Sequence, residues 1–268
     1  FKKNSTALIL TPTYAEYEYA FRLSGANVIK YAANDVSDFR WNFIEVASLI
    51  KAKKPSVVII CNPNNPTGTY CMPHEIETLA EATSHSGSML ILDEAYLSFV
   101  ANPWNSLSIL KYSNIMLIRS MSKNYANTAL RLGYAVASAD IVSKIRALQP
   151  DWSVNSLAQK VGIAALEDNE YLSNARKVVF TARSYLKKAL TELGLETIPS
   201  DANFLLIKVE NASKWRYLLL KKGVVVRDCS SFGLPNYIRV GIRVIEDCKI
   251  LVEAITKVSE QPIDEFNE

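Results

Sequence analysis

The sequence predicts an α/β fold: a mostly parallel central sheet flanked by helices, with a smaller C-terminal α+β domain. Three observations carry this. Short β-rich runs alternate with longer amphipathic stretches up to about Gln149-Pro150, the mark of βαβ units. Beyond that point two long helical stretches come first and strands return later. The composition, 49% hydrophobic and 21% charged over 268 residues, is ordinary for a globular protein and argues against disorder or a coiled coil.

The elements of the large domain, residues 1–150, follow in order. Strands are expected at Thr6 to Leu10, Val28 to Tyr31, Ser56 to Cys61, Met89 to Leu92, Ile115 to Arg119 and Leu132 to Ala137. Amphipathic helices fall between them at Glu16 to Ser24, Phe43 to Lys51 and Pro73 to His85, the last opening on a proline as helix N-termini often do. In the second domain, residues 151–268, helices are expected at Ser156 to Leu166 and Tyr171 to Leu193, with Gly194 in the position of a helix stop. Strands follow at Phe204 to Val209, Val224 to Arg227 and Tyr237 to Gly241, with helices at Ser213 to Lys222 and Glu246 to Ser259. No internal repeat or low-complexity segment interrupts this order.

Charge narrows the choice of partner. Lys plus Arg is 30 against 27 Asp plus Glu, and a formal charge of +3 points away from nucleic acid while leaving an acidic small molecule open. No apolar run approaches the roughly 20 residues that cross a bilayer, and the start, Phe1-Lys2-Lys3-Asn4-Ser5, lacks a secretory pattern. A cytoplasmic protein with no membrane partner is expected. Cys61, Cys71, Cys229 and Cys248 are scattered, and His74 and His85 share one expected helix, which argues against a metal site or a disulfide framework. Neither G-x-G-x-x-G nor G-x-x-x-x-G-K-[ST] occurs, and nine glycines leave little for a glycine-rich phosphate cradle.

Four segments sit just after expected strands, where an open parallel sheet places its ligand sites. They are Asn62 to Gly68, Leu92-Asp93-Glu94-Ala95-Tyr96, Arg119-Ser120-Met121-Ser122-Lys123 with Arg131 to Tyr134, and Tyr237-Ile238-Arg239-Val240. Singly, each reads as a turn, a helix cap or a solvated charge.

In this order and spacing, from Pro12-Thr13-Tyr14 to Arg239, they resemble fold-type I pyridoxal-phosphate enzymes of the aminotransferase class I/II superfamily. The resemblance implies pyridoxal 5'-phosphate as cofactor and Lys123 as its Schiff-base residue, later a proton carrier. Asp93 matches the carboxylate that holds the proton on the pyridine nitrogen. Asn65 and Tyr96 match the residues that hydrogen-bond the phenolic oxygen, and Tyr14 the aromatic that stacks on the ring. Ser120, Ser122 and Arg131 would hold the cofactor phosphate, and Arg239 the substrate carboxylate.

Within the superfamily the segments Leu148 to Gln159 and Val226 to Phe232 resemble threonine-phosphate decarboxylase of cobalamin biosynthesis; histidinol-phosphate aminotransferase is the alternative. Both imply a small phosphorylated amino-acid substrate, with Arg227 as the candidate for its phosphate. Asn155 either lines the site or caps the helix that follows. The two reactions differ in which bond to Cα stands perpendicular to the ring, a rotation that sequence does not register. Relatives carry further residues ahead of Pro-Thr-Tyr, so the resemblance implies that this chain lacks an N-terminal part of the large domain. It also implies a homodimer. A non-catalytic ligand sensor on the same scaffold is disfavoured by the joint presence of Lys123, Asp93 and Arg131.

Overall fold

In the computed structural model, which describes residues 5–260, β-branched runs and amphipathic stretches alternate much as expected. The first half comprises β1 (Thr6–Thr11), α1 (Glu16–Leu23), β2 (Asn27–Ala32), α2 (Phe43–Lys53), β3 (Val57–Cys61), α3 (Pro73–Ser86) and β4 (Met89–Asp93). It continues with β5 (Ile115–Ser120), the short α4 (Met121–Asn124), β6 (Gly133–Ala137) and α5 (Ala139–Arg146). Local chemistry sets these boundaries. Asn42 accepts the amides of Ile44 and Glu45 to start α2, Pro73 fills the first turn of α3, and Gly87 ends α3 at φ 71°, which a side chain would disfavour.

Six strands form one sheet in the order β2-β1-β3-β4-β5-β6, with every pair parallel except β5 and β6. β3 lies inside it and is buried along its whole length. Alternation along β1 splits the core. Leu8 and Leu10 pack with Val46, Ile50, Ile76 and Leu79 from α2 and α3, while Ala7 and Ile9 pack with Phe21 of α1 on the opposite face.

Next come α6 (Ser156–Glu167), α7 (Tyr171–Glu192), β7 (Phe204–Lys208), α8 (Ala212–Lys221), β8 (Arg227–Asp228), β9 (Tyr237–Gly241) and α9 (Ile245–Ser259). The strands form a separate antiparallel sheet, β7-β9-β8, whose Leu205, Ile207, Ile238 and Val240 pack with Leu186 and Leu190 of α7, Leu219 of α8 and Ile255 of α9. β8 corrects the expected strand at Val224 to Arg227. Val226 packs into this core and Val225 is exposed, and pairing with β9 begins only at Arg227. α5 was not expected. It is only eight residues long, buries none of them, and its preceding Ser138 makes no side-chain cap, so it offers neither a helix-start signal nor a core-facing run.

Candidate active site

Because β1, β3, β4 and β5 are parallel, their C-terminal ends share one edge, and the chain leaves that edge at Thr11, Cys61, Asp93 and Ser120. β6 runs the other way, so Arg131 just ahead of it returns to the same edge, with Gly133 paired to Ser120. The turn after β3 is locked: Asn64, fully buried, accepts the Thr13 hydroxyl at 2.9 Å and donates to the Pro12 carbonyl at 2.8 Å. Gly68 of this turn lies at φ 79°, and a Cβ there would sit 2.1 Å from Ser200 Oγ, so glycine is required where the segment before β7 crosses.

Asp93 ends β4 beside Cys61 of β3. Its Oδ2 accepts the Tyr17 hydroxyl at 2.5 Å, and its Oδ1 accepts the Ala95 amide at 2.9 Å. Burial pushes the carboxyl above the usual aspartate range, against those hydrogen bonds and the charge of Lys123. Among the described residues no lysine or arginine forms a salt bridge with it. Burial, then the charges of Cys61 and Asp93, hold the Tyr17 phenol well above its ordinary value, so it serves as a donor. Glu94 is buried and takes a different partner: Arg119 Nε donates to its Oε2 at 2.8 Å, while Arg119 Nη2 reaches Ser106 Oγ at 3.0 Å.

A cavity of about 470 Å³ opens between the two sheets, lined by Lys123, Tyr96, Phe204, Arg216, Arg227 and Arg239 among others. Four of its lining side chains are cationic and none is acidic, so it suits an anion. Arg227 of β8 pairs directly with Arg239 of β9, a like-charge neighbour relation that costs stability when nothing neutralises it. Arg239 is fixed by an Nη1 hydrogen bond to Asn65 Oδ1 and lies 4.8 Å from the Phe204 ring centre. Tyr96 meets the same ring edge-on at 5.1 Å, and burial pushes its phenol up to about 12. Arg227 donates to Ser231 Oγ at 2.8 Å and stacks near Phe232.

The other sequence candidates fall on the same edge or beyond it. Tyr14 is 45% exposed, packs edge-on to Tyr17, and lines a separate cavity of about 340 Å³ with Phe232. Ser120 Oγ accepts the Ser122 amide, the Ser122 hydroxyl is buried near the Leu132 carbonyl, and exposed Arg131 donates to the Thr128 carbonyl at 2.8 Å. Asn155 stands apart: its Oδ1 caps α6 by accepting the Ala158 amide at 2.9 Å. Sequence reasoning missed Tyr17 and Arg216. Tyr17 sits in an amphipathic helix where an aromatic reads as core, and Arg216 lies on a helix rich in lysine that reads as a solvated face.

The profile of the family described as "Aminotransferase class I and II" matches residues 1–255. The chain belongs to this family. Members of the aminotransferase class I and II family are pyridoxal-phosphate enzymes. Similar curated proteins include the histidinol-phosphate aminotransferases of Symbiobacterium thermophilum, 33% identical over 91% of this chain and 67% of the relative, and of Methanococcus aeolicus, 32% identical over 96% and 70%. The chain spans between 60% and 70% of the length of such relatives. Among solved structures, the histidinol-phosphate aminotransferase of Clostridium acetobutylicum superimposes with a TM-score of 0.89 at 28% identity, covering 96% of this chain and 78% of that one. A decarboxylase from Sulfurospirillum multivorans gives 0.87 over 97% and 77%, and at 22% identity it shows the shared fold alone.

The residues present fit the family's cofactor. Asp93 is a partly buried carboxylate that has two donors and, among the described residues, no salt-bridge partner, the cation a protonated pyridine nitrogen would supply. Lys123 lines the adjoining cavity with Tyr96. No group of three or more metal-ligating side chains occurs among the described residues, and no helix there is long and apolar enough to cross a membrane.

Proposed function

We propose that the chain is the catalytic part of an aminotransferase that acts on histidinol phosphate or a closely similar phosphorylated amino compound and passes the amino group to a 2-oxo acid. The observation that carries this is the cavity with Lys123 at one side and three guanidiniums around it, with no acidic side chain in its lining. Substrates that are both amines and anions match it.

In this reading Lys123 anchors the cofactor and afterwards carries a proton on its Nζ to and from Cα. The bound cofactor supplies an aldehyde for the substrate amine and a ring that withdraws electrons from Cα. Asp93, held by Tyr17 and the Ala95 amide, keeps the ring nitrogen protonated. Tyr96 and Asn65 would hydrogen-bond the cofactor's phenolic oxygen, Tyr14 would stack on its ring, and Ser120, Ser122 and Arg131 would hold its phosphate. Arg239 takes the carboxylate of the acidic substrate, and Arg227 takes the substrate phosphate. A cytoplasmic homodimer belongs to the same reading, and sedimentation of the full-length protein tests its dimeric half.

The aminotransferase stands ahead of the decarboxylase that the sequence segments pointed to first. Trp152 of the first segment is 96% exposed and Asn155 is engaged as a helix cap, so neither supports a contact that would select decarboxylation. The curated relatives above carry the aminotransferase name at over 30% identity. The test uses full-length holoenzyme with histidinol phosphate and 2-oxoglutarate, followed for glutamate. Sustained glutamate formation is expected; carbon dioxide released from O-phosphothreonine, with no glutamate formed, would return the decarboxylase to first place.

A further inference from the structure

α8 brings a third arginine over the pair formed by Arg227 and Arg239. Ser213, one turn before Arg216 on the same helix, donates to Asp228 Oδ2 at 2.6 Å, which shows that this face of α8 looks onto β8. Arg216 therefore projects from the helix toward the cavity that it lines. Asp228 feels its charge, but that carboxylate is already engaged by Ser213 and by the amide and hydroxyl of Ser230. Among the described residues Arg216 forms no salt bridge and no hydrogen bond through its guanidinium, whereas Arg239 is committed to Asn65 and Arg227 to Ser231.

Charge matching gives this arrangement a meaning. A carboxylate is neutralised by one guanidinium, and Arg239 is placed and oriented for one. A phosphate monoester is a dianion with three acceptor oxygens, and Arg227 alone leaves one of its charges and some of its oxygens unmatched. We infer that Arg216 is a specificity-determining residue, which together with Arg227 forms a two-guanidinium site for the dianionic end of the substrate. This rests on the phosphorylated-substrate reading above and adds a residue to it. It also accounts for three like charges around one cavity, since their repulsion falls when a dianion binds.

Full-length holoenzyme carrying Arg216→Gln, and a second variant carrying Arg216→Lys, test the inference. Glutamine matches arginine closely in helix propensity, so α8 keeps its fold. KM and kcat are measured with histidinol phosphate and with unphosphorylated histidinol, and inorganic phosphate binding is measured by calorimetry. Arg216→Gln should raise KM for the phosphorylated substrate by roughly 10-fold, the scale of one charge-assisted hydrogen bond. It should leave kcat and the KM for histidinol near the wild-type values and weaken phosphate binding in proportion, and Arg216→Lys should recover part of the loss. Equal change for both substrates, or phosphate binding unaltered by Arg216→Gln, would overturn the role. If wild-type enzyme fails to turn over histidinol phosphate, yet phosphate binding still depends on Arg216, the anion site stands and the substrate assignment above falls.

Discussion

At the edge of the six-stranded sheet the charges are covered; on the face of the three-stranded sheet they are open. Asp93 at the end of β4 is partly buried and Glu94 after it is buried, one held by Tyr17 and the Ala95 amide, the other by Arg119. Arg216 and Arg227 across the cavity are exposed, Arg227 held through Ser231 and Arg239 through Asn65 and Phe204. Under the proposed function, the difference follows from what each side would have to do. Groups that tune a cofactor need one fixed geometry and a low-dielectric setting, where a hydrogen bond or charge acts strongly. An aminotransferase receives two unlike substrates in turn, and solvated guanidiniums on long stems can adjust to both.

Four substitutions sharpen or break this contrast. The largest effect belongs to the covered side: Lys123→Ala should lower turnover by about 10³-fold or more and remove the visible absorbance of the bound cofactor. An unchanged spectrum would take Lys123 out of its role. Next, Glu94→Ala should cost about 3 kcal/mol of stability, because it strands the half-buried Arg119. The urea midpoint reads this directly, and a shift no larger than that of a surface substitution would mean that the pair is not under cover in solution.

On the open side the expected effects are smaller and selective. Arg227→Ala should raise KM for a phosphorylated substrate roughly 10- to 100-fold, as for loss of a hydrogen bond to a charged group, with little change for the unphosphorylated analogue. Parallel kinetics with both compounds decide it, and equal losses would remove the phosphate assignment. The smallest effect concerns pH. Burial raises the pKa of Asp93, so the folded chain without cofactor holds this proton more tightly than the unfolded chain does. The resulting loss of stability begins as pH rises above the unfolded-chain pKa and is complete above the folded one. Asp93→Asn should therefore melt at a higher temperature than wild type near neutral pH in the cofactor-free state, with a gap that closes in acid. A gap independent of pH would show that Asp93 does not carry the effect.

The same contrast explains what the sequence disclosed. The covered side is written in strand ends: apolar runs stop at Cys61, Asp93 and Ser120, and the polar residues that follow lie at the ligand edge because the strands are parallel. That position drew attention to the segments of Asn65, Tyr96 and Lys123, and their joint order and spacing, as a family resemblance, assigned the roles. Tyr17 was not legible, since its hydroxyl meets Asp93 only after α1 folds back along the sheet. Arg216 was hidden by its surroundings, where Trp215, Tyr217 and Lys221 give no sign of which helix face meets β8. Asn155 left two readings open in the sequence, because an N-cap and a ligand residue ask for the same side chain, and the structure uses it as the cap.

The hydrogen bond from Arg239 to Asn65 joins positions 174 apart, and the Tyr237 hydroxyl reaches Asp35 across 202. Contacts of such sequence separation carry a large loop-closure cost, so they form late relative to local strand pairs and helices. The six-stranded sheet can assemble from the first half of the chain as it leaves the ribosome, but the arginine wall cannot exist until β9 has been made. The arginine cavity is thus completed only once β9 has been made and has paired with β7 and β8, and anion binding to it would report that assembly more faithfully than secondary-structure content does.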